Sequence, residues 1–138
     1  MRLLKHWFYK QLGIWSGIFG RQGLAAEYWL DAQRFKPSDA VALVTAANHL
    51  SLNQQFAEAE AVLRKSLDID SSQSAAWFNL GFLLQKRDEH EQALAAFDQA
   101  IRHHDRLDRA HYGRALSLMA LERNQEAKAA LQRTVDLQ

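Results

Sequence analysis

Small and large apolar residues recur along the chain with a period of 34 residues. One column of this repeat holds an alanine in every copy: Ala25, Ala59, Ala93 and Ala127. Four residues later each copy has a large apolar residue: Trp29, Leu63, Phe97 and Leu131. Twelve residues before each alanine stands a small residue: Gly13, Ala47, Gly81 and Ala115. Several columns that agree at one period indicate an internal repeat.

The columns fit pairs of packed antiparallel helices. Two helices approach closely only where their side chains are small, so the first helix of each pair needs Gly or Ala at the crossing point. A single helical hairpin cannot bury its apolar face alone, so stacked repeats share a core. The pattern predicts helix pairs at about 6–19 and 24–35, 40–53 and 56–69, 74–87 and 90–103, and 108–121 and 124–137.

Composition supports an all-helical fold and excludes some functions. The chain has one proline and six glycines, and runs of β-branched residues are missing. The absence of cysteine removes disulfides, thiolate nucleophiles and cysteine-ligated zinc, and it fits the cytoplasm. The net charge of +1 argues against a dedicated nucleic-acid-binding protein, which usually carries a basic stripe.

The third copy resembles a complete tetratricopeptide-repeat (TPR) signature. It contains Trp77, Phe78, Asn79, Leu80, Gly81, Leu84, Ala93, Phe97 and Ala100, with Asp105 where the family usually has proline. The resemblance implies a right-handed superhelical α-solenoid of antiparallel helix pairs that spans residues 1–138 as a single domain. Its repeats would be about 6–39, which is degenerate, 40–73, 74–107 and 108–138.

The resemblance also implies a binding surface, because the family usually holds partners in a concave groove lined by the first helix of each repeat. The register of the repeats assigns this groove to Val44, Asn48, Leu52, Phe78, Asn79, Phe82, Lys86, Arg109, Tyr112 and Met119. Aromatic side chains beside isolated polar groups suit a peptide partner. The alternative is that some of these aromatic residues pack between repeats.

Some co-chaperones of this family clamp a partner's C-terminal carboxylate with cations and two asparagines. Asn48, Asn79 and Arg109 resemble three members of that clamp, whereas Val44 and Gly113 stand where cations would be needed. A carboxylate would then gain too few charge-assisted hydrogen bonds to offset its desolvation. An apolar or mixed peptide is therefore the favoured partner.

The N-terminal segment has a character of its own. Residues 1–26 contain four basic residues and no acidic one, and apolar residues recur there at helical spacing: Leu4, Trp7, Phe8, Leu12, Trp15 and Phe19. One interpretation is that residues 1–22 form a helix resting on an anionic membrane surface. The other is a degenerate first-repeat helix that packs on residues 40–53. The segment is too polar to span a membrane, and it lacks the features of a secretory signal.

No motif for catalysis or cofactor binding is present. His103, His104, Asp105, Asp108 and His111 include metal-binding residue types, but their spacing matches no standard metal site. The sequence therefore predicts a non-enzymatic scaffold or adaptor without a cofactor. The rival prediction is a subunit of a membrane-associated secretion, pilus or envelope assembly, acting in the cytoplasm at the inner face of a membrane.

The end of the sequence gives one more expectation. The chain stops at Gln138, before a fourth full repeat would close, and the last helix carries Leu131 and Val135. Apolar surface left in water at the end of a solenoid is unfavourable. We therefore expect either a longer repeat protein or self-association through the C-terminal helix.

Overall fold

The computed structural model describes all residues from Met1 to Gln138 and consists of eight α-helices without strands. They are α1 (Arg2–Ile18), α2 (Gln22–Phe35), α3 (Ala40–Leu52), α4 (Phe56–Ile69), α5 (Ser74–Lys86), α6 (His90–His103), α7 (Asp108–Ala120) and α8 (Asn124–Asp136). The predicted all-α fold is confirmed. Seven helices begin and end within two residues of the predicted bounds, whereas α1 begins at Arg2 instead of residue 6.

Consecutive helices pack against each other within two compact units, residues 1–71 and 72–138. The first unit contains α1–α4 and the second contains α5–α8. Because a turn of only a few residues joins each helix to the one it packs on, neighbouring helices run antiparallel. Stacked antiparallel helix pairs are the elements of an α-solenoid, which is the predicted fold class.

The turn inside each helix pair has the same backbone conformation. Its second residue lies in the left-handed region, with φ of 73° at Gly20, 63° at Gln54, 61° at Asp88 and 58° at Glu122. In the second turn, Gln54 N donates to the Ser51 carbonyl at 3.0 Å and Gln55 N donates to the Leu50 carbonyl at 2.8 Å. This is the Schellman arrangement, which satisfies the last carbonyl groups of a helix. The 34-residue period is therefore present in the turns as well as in the helices.

Two substitutions in these turns should change stability in opposite directions. Gly20→Ala should lower the free energy of unfolding by about 1 kcal/mol, because a Cβ disfavours the left-handed conformation. No atom lies within 4 Å of the Cβ that it would add, so a steric clash does not contribute. Gln54→Gly should raise the free energy of unfolding by up to about 1 kcal/mol for the same reason. Urea denaturation would measure both, and two changes of the same sign would contradict this explanation.

The small residues of the repeat lie in the seams between helices. Ala25, Ala59 and Ala93 have no exposed surface, and Ala127 is 2% exposed, so this column of the repeat is buried. In two of the pairs, Gly13 with Trp29 and Gly81 with Phe97, the large residue sits directly over the small residue of the first helix. A Cβ added at Gly81 would lie 2.9 Å from the ring of Phe97. Phe97 itself has no exposed surface.

Residue size is matched within each helix pair. Where the large residue is aromatic, the small residue is glycine, as in Gly13 with Trp29 and Gly81 with Phe97. Where the large residue is leucine, the small residue is alanine, as in Ala47 with Leu63 and Ala115 with Leu131. Because the interior is closely packed, the missing methyl group makes room for the larger ring.

Candidate functional site

Helices α5 and α7 of the second unit lie side by side and present an exposed surface. Gln85 Nε2 on α5 donates to the Gly113 carbonyl at 2.9 Å and to Ser117 Oγ at 2.9 Å on α7. On α5 the helical period places Phe78, Phe82 and Lys86 along one side. The α5–α7 surface consists of these three residues and of Arg109, Tyr112, Leu116 and Met119 from α7.

Each phenylalanine of the α5–α7 surface lies beside a cation. The Arg109 guanidinium lies 5.0 Å from the Phe78 ring centroid, and Lys86 Nζ lies 5.2 Å from the Phe82 ring centroid. Such cation–π contacts hold long basic side chains against the aromatic faces. Phe78 is half-buried, and its ring centroid lies 6.0 Å from that of Phe97. It therefore belongs partly to the core of its own helix pair.

The remaining aromatic and apolar side chains of this surface point into solvent. Phe82 is 42% exposed, Tyr112 is 48% exposed and Met119 is 50% exposed. An aromatic ring, a phenol and a flexible thioether that are exposed together are typical of a surface that anchors a peptide. Lys86 and Arg109 add positive charge next to them.

The other residues assigned to the groove from the sequence lie in several environments. Asn79 is half-buried on α5 in the second unit. In the first unit, Asn48 is exposed and Leu52 is 67% exposed. Val44 is only 6% exposed and offers a partner little surface. Val44 and Gly113, which the resemblance to co-chaperone clamps places at cation positions, carry no charge.

Gly113 is fixed by packing. A Cβ added there would lie 2.5 Å from Phe97 Cζ, so any larger residue would collide with a ring that is completely buried. The lack of a cation at this position is therefore a consequence of the core. A carboxylate clamp of the co-chaperone kind lacks one of its charges for that reason.

The histidines considered as metal ligands do not form a metal site. His103 and His104 are exposed at the end of α6. His111 is 8% exposed, and its Nε2–H donates to the Asp105 carbonyl at 2.8 Å. This side chain stands where the third repeat has Trp77, and it satisfies its ring nitrogen within the fold. No group of three or more histidine and acidic side chains is placed to hold a metal ion.

The first helix, α1, turns its polar and small residues toward the protein. His6 Nδ1 contacts the Ala32 carbonyl at 2.8 Å, and His6 Nε2 contacts Asp39 Oδ2 at 3.2 Å. Lys10 Nζ reaches the same carboxylate at 3.4 Å. The other oxygen of Asp39 accepts a hydrogen bond from Ala42 N at 3.0 Å and caps α3. One carboxylate, whose side chain is 10% exposed, therefore joins α1 to the start of α3.

Close packing continues along the inner side of α1. A Cβ added at Gly13 would lie 2.8 Å from the Trp29 ring, and one added at Gly17 would lie 2.7 Å from His49 Cε1. His49 Nδ1 is 2.6 Å from Gln22 Oε1, and burial lowers the pKa of His49, which favours its neutral form. The two glycines permit α1 to approach α2 and α3.

The opposite side of α1 is apolar and exposed. We call it the α1 outer face, and it consists of Leu3, Leu4, Trp7, Phe8, Ile14, Trp15 and Ile18, with Phe19 just after the helix. Their exposed fractions run from 41% at Ile14 to 73% at Phe19. This orientation is the reverse of that of an ordinary surface helix, whose apolar side faces the core. The sequence indicated the apolar spacing of this segment but not its direction.

The geometry of α1 bears on both interpretations of the N-terminal segment. The helix α1 packs mainly on α2, not on residues 40–53 as the repeat interpretation predicted, although Gly17 lies close to His49 of α3. Its apolar side chains are left uncovered. No helix in the structure has the length and apolar character needed to cross a membrane.

Comparisons with known proteins agree with this architecture. A family model described as tetratricopeptide repeat matches residues 50–117. Among solved structures, MamA residues 41–end from Desulfovibrio magneticus RS-1 has a TM-score of 0.88 at 22% identity, over 96% of this chain and 75% of that chain. The first TPR of Spaghetti (RPAP3), bound to the HSP90 peptide SRMEEVD, has a TM-score of 0.81 at 17% identity, over 86% of this chain and 94% of that chain. No curated protein matches in sequence.

Stacked helix pairs with an exposed surface of aromatic, apolar and basic side chains place this molecule among the helical-repeat interaction modules. The chain belongs to the tetratricopeptide-repeat family, because the family model, the 34-residue period and the fold agree. Proteins of this fold generally bind other polypeptides and do not catalyse reactions.

Proposed function

We propose that this chain is a non-enzymatic scaffold or adaptor and that it binds a segment of a partner polypeptide on the α5–α7 surface. The observation that carries the proposal is the joint exposure of Phe82, Tyr112 and Met119 on neighbouring helices. Burial of such side chains supplies most of the binding energy in protein interfaces. The peptide-bound Spaghetti (RPAP3) structure supports a peptide as the kind of partner, since its fold is similar.

The chemistry of the surface suggests what the partner segment contains. An apolar or aromatic side chain would cover Phe82 and Tyr112, and an acidic side chain would lie near Lys86 or Arg109. The fixed glycine at position 113 disfavours a site built around a terminal carboxylate alone. A mixed segment with apolar anchors and one or two acids therefore fits best.

Selection from a phage-displayed library of random peptides would test this proposal. Peptides selected on the wild-type chain should bind the double variant Phe82→Ala, Tyr112→Ala at least about tenfold more weakly, because anchor residues contribute 2 kcal/mol or more. The thermal midpoint should change little, because both side chains are largely exposed. Isothermal calorimetry and circular dichroism would provide the two readouts.

The matched control is Ile69→Ala with Val135→Ala, which removes two exposed apolar side chains elsewhere. This variant should bind the selected peptides with wild-type affinity. Equal affinity of all three proteins would contradict the proposal, as would unfolding of the Phe82→Ala, Tyr112→Ala variant.

The second candidate function is that of a subunit in a membrane-associated assembly such as a secretion, pilus or envelope complex. The observation that favours it is the α1 outer face, which the chain itself leaves uncovered. Such a subunit would work on the cytoplasmic side, where the membrane surface is anionic. Self-association through α8 also stays a prediction, and there Val135 is 64% exposed.

A further inference from the structure

We propose that the α1 outer face binds the surface of an anionic lipid bilayer, with α1 lying parallel to the membrane plane. This inference deepens the second candidate function and does not depend on peptide binding by the α5–α7 surface. It would make the first helix a membrane contact and leave the second unit free to hold a partner.

The shape of the surface suits an interfacial helix. The side chains of the α1 outer face recur at intervals of three or four residues over 17 helical residues, and Gln11 is the polar residue among them. A helix of that length spans about 25 Å along its axis. Trp7 and Trp15 stand two turns apart and are both 57% exposed. Tryptophan favours the boundary between head groups and acyl chains, because its ring is apolar and its N–H is polar.

The rest of the fold holds this face outward. On the inner side of α1, His6 and Lys10 are tied to Asp39, and Tyr9 stacks on Phe35 with ring centroids 5.5 Å apart. The helix is therefore preformed and anchored before it meets a membrane. A preformed surface avoids the entropic cost of ordering a helix on binding.

Charge selects an anionic bilayer as the occupant. Residues 1–26 carry Arg2, Lys5, Lys10 and Arg21 and no acidic side chain. Lys10 is paired with Asp39, whereas Lys5 is exposed and lies over the Phe35 ring, 5.7 Å from its centroid. Basic side chains at the edge of an apolar helix face are attracted to anionic head groups.

The same charges disfavour a second copy of the chain on this face. Pairing two α1 outer faces would bring two acid-free, basic segments together, and like charges across an interface oppose association. A bilayer with anionic lipids complements both sets of side chains, because its acyl region accepts the apolar ones and its head groups attract the basic ones.

Vesicle co-sedimentation of the full chain tests the proposal. The wild-type chain should sediment with vesicles of phosphatidylcholine and phosphatidylglycerol, more weakly with phosphatidylcholine alone, and less in high salt. Trp7→Glu with Trp15→Glu should lower the partition coefficient at least about tenfold, because each change removes apolar contact and adds a repelled charge. Circular dichroism should show an unchanged fold, since both side chains point into solvent.

Two further variants separate the contributions. Val41→Glu with Val135→Glu adds the same charge at exposed apolar residues elsewhere, 62% and 64% exposed, and should bind vesicles much better than Trp7→Glu with Trp15→Glu. The triple variant Arg2→Gln, Lys5→Gln, Arg21→Gln should lose the preference for anionic vesicles. Each charge removed should lower the partition coefficient on anionic vesicles by about fivefold.

Three results would overturn the proposal. One is a wild-type chain that stays in the supernatant with anionic vesicles. Another is equal sedimentation of the Trp7→Glu, Trp15→Glu variant and its control. The third is an α1 outer face that mediates dimers or captures a protein while vesicles are ignored.

Discussion

Replacing Asp39 by alanine is expected to lower the free energy of unfolding by about 2–4 kcal/mol, because a helix cap and a partner of buried polar atoms are lost together. The carboxylate caps α3 through Ala42 N and contacts His6 and Lys10 of α1. Its loss would leave a helix N-terminus without its cap and His6 Nε2 without its partner in a buried environment. Urea denaturation followed by circular dichroism would measure the change.

Asp39→Asn is the matched control for this prediction. The amide oxygen of the asparagine can still accept the hydrogen bond from Ala42 N, but the substitution removes the negative charge that faces His6 and Lys10. The asparagine variant should therefore lose about half as much stability as the alanine variant or less. An alanine variant that is destabilised by less than about 1 kcal/mol would contradict the assigned role of Asp39.

Gly81→Ala is expected to lower the free energy of unfolding by about 1–3 kcal/mol, although alanine is the better helix former. The added Cβ would lie 2.9 Å from the Phe97 ring, and that ring cannot move away because Gly113 confines it on another side. The helices would have to separate to accept the methyl group. Thermal and urea denaturation would report the loss.

Phe97→Leu should partly rescue Gly81→Ala. The double variant recreates the alanine–leucine combination that the chain uses as Ala47 with Leu63 and as Ala115 with Leu131. Its destabilisation should therefore be smaller than the sum of the two single losses, by about 0.5–3 kcal/mol. Gly23→Ala is the control, because its Cβ would meet only the side-chain amide of Asn53 at 3.1 Å. If the losses of the two single variants simply added in the double variant, the sizes of the residues at positions 81 and 97 would not be coupled.

The fold was predictable because the repeat encodes it in several columns at once. Gly81, Ala93 and Phe97 stand in one seam, and their spacing alone placed two helices correctly. The backbone conformation of the turns was harder to predict from the sequence. Gly20 is the usual residue for a left-handed helix end, and aspartate, as at Asp88, is enriched in that region, but Gln54 and Glu122 adopt the same conformation without a residue preference that predicts it.

The direction in which a side chain points was less predictable than the helix that carries it. Val44 was assigned to the groove, and it is 6% exposed. Helix α3 is apolar on most sides, so its sequence gives no clear period from which the core-facing side could be derived. The opposite difficulty arises in α1, where the apolar period is clear and faces away from the protein because His6 and Gly13 make the contacts.

Six of the ten residues assigned to the groove meet on one surface of the second unit: Phe78, Phe82, Lys86, Arg109, Tyr112 and Met119. The resemblance to the family was sufficient to predict that these six residues share a surface, because the first helix of each repeat has a fixed register. The contact of Phe78 with Phe97 could not be derived from that register. It depends on the glycines that bring the Phe97 ring close to α5 and α7.

The most direct test of peptide binding by this chain is backbone amide chemical-shift mapping with a phage-selected peptide on the isotope-labelled protein. Binding on the α5–α7 surface predicts the largest shift changes along α5 and α7 around Phe82, Tyr112 and Met119, with α1 and α8 unchanged. Shift changes confined to α1 or α8, with α5 and α7 unaffected, would contradict it.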